Sequence, residues 1–359
     1  MRILVTLVSL AVTPLALAGA SGSRVVVAAS PEVARAAHTA TAFPGGTVLI
    51  TGGCVVDGCS RATATTELYR PGRGFVKGPR LTIPRAGHTA TRLAGGRILV
   101  VGGYSAEGTD ALAAAEVCSL ARCRGVGRLA SGRGGHGAVA LAGGDALVVG
   151  GLGPDGPLGA VERFDARRLA FDGVAALAIP RQGHTTTLLR DGRVLVVGGY
   201  DADGRGIAHA ELYDPAADTW QPVGRLGTPR GKHATIRLRD GRVLVLGGAR
   251  DGETRARLRS TELFDPTVGR FVAGPSLRIG RYKLVDAVAL TRDGSVVVAG
   301  DAPLVELVGA SAESVRIATG SLASRRAFAT ATRSGAGVLV VGGYDERIAI
   351  QPGAFLVRR

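Results

Sequence analysis

RILVVGGY, Arg97–Tyr104, is an apolar run closed by two glycines, and reworded copies of it recur along the whole chain. The series is TVLITGG (Thr47–Gly53), RILVVGG (Arg97–Gly103), DALVVGG (Asp145–Gly151), RVLVVGG (Arg193–Gly199), RVLVLGG (Arg242–Gly248), SVVVAGD (Ser295–Asp301) and GVLVVGG (Gly337–Gly343). A recurrence about every 48 residues through a 359-residue chain marks stacked copies of one supersecondary unit rather than unrelated domains.

Working outward from that run, each unit carries four short strand signals. Strand a opens on HTATAF at His38, HTATRL at His88, HGAVAL at His136, HTTTLL at His184 and HATIRL at His233. Pairs such as Gly45-Gly46, Gly95-Gly96, Asp191-Gly192, Asp240-Gly241 and Asp293-Gly294 follow, and they suit two-residue hairpin turns. Strand b is the Val/Leu/Ile run itself, continuous enough to be buried on both faces. Strand c starts at a recurrent Glu: Glu67, Glu116, Glu162, Glu211, Glu262 and Glu306, with Ile348-Ala-Ile taking its place in the seventh unit. Strand d opens on a bulky residue thirteen before the next strand a, as in Phe75 to His88, Phe171 to His184 and Trp220 to His233.

Val25 also stands thirteen residues before His38, so RVVVA (Arg24–Ala28) is a fourth strand placed ahead of the first. The expected fold is all-β: a seven-bladed β-propeller with four antiparallel strands per blade, its ring closed by the N-terminal strand so that no sheet edge is left for pairing. FLVRR (Phe355–Arg359) also reads as a strand d and competes for the closing position.

An Arg before strand a, Gly-Gly after strand b, Glu-x-Tyr/Phe-Asp-Pro in strand c and an aromatic opening strand d together resemble the kelch repeat. The likeness runs from Arg24 to Gln351 and implies a kelch-type propeller, with stretches such as Ser105 to Leu112 as variable loops. Two departures stand out. Trp opens strand d only at Trp220, and the sixth unit has two extra residues and Gly300-Asp301 in place of Gly-Gly.

The ends and cysteines set the compartment. Met1-Arg2, an apolar run broken by Pro14, and small residues at Ala16, Ala18 and Ala20 read as an export signal over residues 1–20, ahead of one propeller domain over residues 24–359. The run is shorter than the ~20 residues a membrane span needs. The expected location is secreted or periplasmic, without a transmembrane anchor, and a monomer is expected. Cys54 and Cys59, like Cys118 and Cys123, are five apart, and two local disulfides are favoured over other pairings or a zinc site, whose usual signature is Cys-x-x-Cys.

The net charge is +15, carried almost wholly by Arg: only Lys77, Lys232 and Lys283 are lysines. Scattered Arg with 4% aromatic residues does not make a stacking platform, so specific nucleic-acid reading is not expected, while affinity for anionic surfaces is. The most regular cation lies three residues before strand a: Arg35, Arg85, Arg133, Arg181, Arg230 and Arg325, with Arg281 in the sixth unit if Leu284 begins the strand and Lys283 if Asp286 does. Two readings stay open for these residues. They form a ring at the channel mouth that binds an acidic ligand, as arginines at the matching turn do in some kelch domains, or each pairs with a strand-c Glu to tie the fold together.

The histidines opening strand a splay around a ring and cannot converge on one metal ion. His209, Asp201 and Asp203 share a loop that lacks the ligand count of a calcium site. No metal or other cofactor is expected. Copper chemistry of the galactose oxidase type is not expected, since no Tyr-His dipeptide is present. The sequence reads as an exported binding scaffold, not an enzyme, for a protein or cell-surface ligand bearing acidic groups. The alternative is an enzyme resembling the sialic-acid mutarotases, acting on an acidic sugar. The two differ in one observable. An enzyme needs an unpaired carboxylate beside several Arg in a deep channel pocket, whereas a scaffold spends its Arg on Glu.

Overall fold

In the computed structural model, residues 22–105, 110–252, 256–335 and 337–358 are described; the expected export segment, residues 1–20, lies outside them. Seven four-stranded antiparallel sheets follow one another as blades of a ring, each built in the order a-b-c-d from the channel outward. Blade 1 is Thr39–Ala42, Val48–Thr51, Thr66–Arg70 and Gly74–Lys77. Blade 7 is Thr330–Ser334, Gly337–Val341, Ala354–Arg358 and, from the other end of the chain, Arg24–Val27.

Closure places Val25 opposite Val357 and Val26 opposite Leu356. Both competitors for the last position are therefore used. Phe355–Arg358 lies in the third strand and Arg24–Val27 in the fourth. Ile348, expected to open strand c, instead sits in the turn before it with φ +60°. Its Ile-Ala-Ile pattern alternates like a strand, but its pairing is that of a turn: Ile350 bridges Tyr344, and Asp345 N–H donates to Ala349 C=O (3.1 Å).

Strand b explains why the apolar run is continuous. Its residues, such as Ile98, Leu99, Val100 and Val101, are all fully buried. Alternate side chains enter the two flanking interfaces: Leu99 and Val101 pack with Val148 and Phe164, while Ile98 and Val100 pack with Leu49 and Leu68. Each buried aliphatic side chain contributes about 1.5–3 kcal/mol, so the seven b strands are the main source of cohesion. The a-to-b turns differ from the two-residue form expected. Leu189 N–H donates to Arg193 C=O (2.8 Å) around a three-residue turn, with Gly192 at φ +89°. A left-handed residue ending the turn favours this longer hairpin.

The outer half of each blade is pinned by one cross-strand pair between c and d. It is aromatic in Tyr69–Phe75, Phe164–Phe171, Tyr213–Trp220 and Phe264–Phe271, with ring centroids 4.9–5.1 Å apart. Blade 2 puts Cys118 opposite Cys123 at that position, a disulfide with Cα atoms 4.0 Å apart. Cys54 and Cys59 form the other, in the b-to-c loop of blade 1 (Cα–Cα 5.0 Å).

Candidate functional site

The Arg expected to ring the channel mouth lies inside the protein. Arg35, Arg85, Arg133, Arg181, Arg230 and Arg281 have no exposed surface. They pair with Glu67, Glu116, Glu162, Glu211, Glu262 and Glu306 at 2.5–3.0 Å. Arg85 is representative: Nη1 donates to the carbonyls of Gly102 (2.8 Å) and Ala114 (2.9 Å), and Nη2 donates to Glu116 (3.0 Å). Glu116 also accepts from the backbone N–H of Thr82 and Ile83, in the segment that brings the chain from the previous blade. Burial lowers the affinity of these guanidinium groups for protons and the facing Glu partly restores it. The clamp joins strand c to the incoming chain, and it leaves the guanidinium no face for a ligand. The ligand-binding reading of these residues is corrected to a structural one.

Two blades depart from the rule. In the sixth, Arg281 is the clamp, but strand a begins only at Val288, because residues 285–287 loop out after Leu284. In the seventh, Arg326 and not Arg325 takes the place. Unit 7 lacks the strand-c Glu, since Phe355 stands opposite Val340 where Glu67 stands opposite Ile50. Arg326 instead lies over the Phe355 ring at 4.8 Å, and burial pushes its pKa down to about 10. Arg325 turns to Asp301, which also pairs with Arg257 and accepts from Tyr282 N–H (2.8 Å). Asp301 holds the left-handed φ (+57°) of the glycine it replaces. The Gly-Asp of the sixth unit is thus an anchor for its neighbours.

The strand-a histidines join adjacent blades. His88 Nε2 meets the Thr39 hydroxyl at 3.0 Å, His136 meets Thr89 at 2.8 Å, His233 meets Thr185 at 2.9 Å and His38 meets Thr330 at 2.9 Å. Where the Thr is missing the pattern changes with it. His184 faces Gly137 and its Nε2 has no partner, and Leu284 replaces His beside Ala234. Burial, reinforced by the Arg three residues before, pushes His38, His136 and His233 down to about 3 and holds His88 and His184 far below the usual range. Neutral imidazoles are therefore built into the wall. Among the described residues, no group of three His, Cys, Asp or Glu is gathered as a metal site, and no helix is long and apolar enough to cross a membrane.

A cavity of about 590 Å³ occupies the bore, lined by Ala and Thr of strand a and reaching Tyr104, Gln182, Lys232, Asp286 and Phe328. Its mouth is a ring of the residues that precede the histidine position: Ala37, Gly87, Gly135, Gly183, Lys232, Lys283 and Phe328. Backbone hydrogen bonds link them from blade to blade, such as Gly87 N–H to Ala37 C=O (2.8 Å) and Lys232 N–H to Gly183 C=O (2.7 Å). All seven have φ between +48° and +61°. Glycine adopts that region freely, whereas other residues lose roughly 1–2 kcal/mol there. Blades 2–4 use glycine; blades 5–7 place Lys, Lys and Phe in the strained position.

The result is a lopsided mouth. Lys283 Nζ donates to the Tyr344 hydroxyl (2.7 Å) and lies over the rings of Phe328, Tyr344 and Tyr282 at 5.2, 5.0 and 5.6 Å. Lys232 Nζ also lies over the Tyr282 ring, at 5.7 Å. Burial, then repulsion from Lys232 and Arg325, pushes Lys283 down to about 8. Among the described residues neither ammonium is in an ion pair. Asp286, on the looped-out segment of blade 6, is exposed to the cavity in the bore, and desolvation by the surrounding channel wall pushes its carboxyl up to about 6. The sequence signal for this site was the loss of glycine before strand a, in RGKH and RYKL against RAGH and RQGH, which the regular Arg overshadowed.

No curated protein matches the chain. A family profile of the kelch motif matches residues 184–227, the whole of blade 4 from His184 through its outer strand. With that match, seven blades of four antiparallel strands, and the Arg–Glu clamp and double glycine recurring along the ring, the chain folds as a kelch-type seven-bladed β-propeller.

Proposed function

We propose that the chain is an exported recognition module that takes an anionic group of a protein or cell-surface ligand at the channel mouth, on Lys232 and Lys283. One observation carries the reading. Of three lysines in an arginine-rich chain, two lie side by side at the mouth of the cavity, on left-handed backbone, without a carboxylate partner among the described residues. Residues held in sparsely populated backbone regions persist where the surroundings impose them and cluster at functional sites. Two like charges beside one aromatic ring repel, and a bound anion relieves that repulsion. Export is supported by two disulfides, which persist in oxidising compartments.

Asp286 gives the enzymatic alternative one of its two requirements, an out-of-register carboxyl in the bore. The second requirement is not met among the described residues, where no arginine lines the cavity to hold an acidic sugar. Binding is therefore the better reading. The test is a glycan and peptide array with the mature protein, repeated with Lys232→Gly plus Lys283→Gly, which restores the residue of blades 2–4. Loss of acidic ligands with unchanged melting supports the site, and retention of them by the double variant overturns it.

A further inference from the structure

We propose that the bore carries an inner cation subsite at Asp286, so that the channel receives one short zwitterion: its acidic group on Lys232 and Lys283, its primary ammonium on Asp286. The inference rests on the binding reading of the mouth and extends it inward. The sixth unit has two extra residues, and they loop out after Leu284, ahead of a strand a that begins only at Val288. Val285 and Asp286 on this loop both line the cavity and both are exposed there, Val285 at 39%. The added length thus puts an aliphatic side chain and a carboxylate into the channel instead of the core.

The loop is held from both sides. Leu284 N–H donates to Lys232 C=O (3.1 Å) on blade 5, while on blade 7 Phe328 N–H donates to Lys283 C=O (3.3 Å) and Ala331 N–H to Asp286 C=O (2.8 Å). Ala331 stands opposite Val340 as Ala40 stands opposite Ile50, three residues inward of Phe328 at the mouth, which is at most about 10 Å along a strand. Among the described residues, the Asp286 carboxylate makes no hydrogen bond and no ion pair, with the two lysines or with any other group. Opposite charges therefore share one cavity without touching, because Lys232 and Lys283 are kept over the Tyr282 ring and Asp286 on its loop. A ligand whose ammonium and acidic group span that gap satisfies both ends, whereas a plain anion leaves the carboxylate without a partner. Val285 and the methyl groups of Ala40, Ala90 and Ala138 give its stem an apolar sleeve, and about 590 Å³ has room for a molecule the size of a dipeptide.

The test is calorimetric titration of the mature protein with 6-aminohexanoate, hexanoate and 6-acetamidohexanoate at equal ionic strength. The free amine should bind about tenfold tighter than either of the other two acids, the ratio of one charge-assisted hydrogen bond. Blocking the amine tests the subsite without any substitution, and Asp286→Asn should erase the tenfold gain in a protein of unchanged melting temperature. The peptide Gly-Asp-Gly, with a free and with an acetylated N-terminus, forms a second arm, because a peptide end offers the same two groups. Preference for its free form supports the subsite and makes a peptide end the source of the zwitterion. Equal binding of the three hexanoates, or a gain that survives in Asp286→Asn, overturns the subsite alone. Binding of none of them overturns the reading of the mouth, and the subsite with it.

Discussion

Acid should open this propeller through its histidines. Five imidazoles are buried in the channel wall, four of them bonded to a threonine of the adjacent blade, and their pKa values lie at about 3 or well below the usual range. In the unfolded chain they return to about 6.5. A lowered folded-state pKa contributes stability that is present above pH 6.5 and is lost as pH falls toward 3. Between pH 7 and pH 5 the loss is about 2 kcal/mol per histidine, or about 10 kcal/mol for five, against a total stability of the order of 5–15 kcal/mol. Asp286 acts in the opposite sense, since its raised pKa makes the folded state take up a proton over the same interval. The expected net uptake on unfolding at pH 5.5 is therefore about four protons. Guanidinium chloride titrations at half-unit steps between pH 7.5 and 5 give that number from the slope of unfolding free energy against pH. His88→Gln plus His136→Gln keeps a partner for Thr39 and Thr89 and should lower the uptake by about two. A slope below one proton, or one indifferent to these substitutions, would refute the reasoning.

Glu116→Ala leaves Arg85 as a buried uncompensated charge and should cost about 3–5 kcal/mol in chemical denaturation, with Glu116→Gln costing less. Phe355→Ala removes the ring beneath Arg326 and part of the core between blades 6 and 7, and should cost about 3–5 kcal/mol. Removing the Cys118–Cys123 bond by substituting both with Ala should cost about 2 kcal/mol from the short loop it closes, while substituting Tyr and Phe rebuilds the aromatic pair of the other blades and should recover part of it. Binding of an acidic ligand at the mouth should weaken as pH rises through about 8, where Lys283 loses its proton, and Lys283→Arg should move that fall to higher pH.

The wall of the fold was readable because it repeats. The apolar run before each double glycine, the Glu opening strand c and the bulky residue thirteen before the histidine all report local chain geometry copied from blade to blade. One end of the chain misled. Ile348-Ala-Ile alternates well but sits in a turn, and Phe355–Arg358 is the third strand, because pairing with Arg24–Val27 and Gly337–Val341 decides the matter across the whole length of the chain. The Arg three before strand a was visible as a recurrence, and a recurrence is what a clamp needed in every blade produces. Its use depended on where glycine carbonyls 17 residues away and Glu carboxylates about 30 residues away in sequence converge.

What the amino-acid order determined by itself was the unit and its number of copies, since hydrophobic period and turn chemistry are properties of neighbours in the chain. Which cations are spent inside and which are left at the mouth was decided only in three dimensions. Burial and counter-charge depend on the side chains that the closed ring brings together from different blades, and Lys232, Lys283, Tyr282 and Tyr344 become one site only when blades 5, 6 and 7 stand side by side.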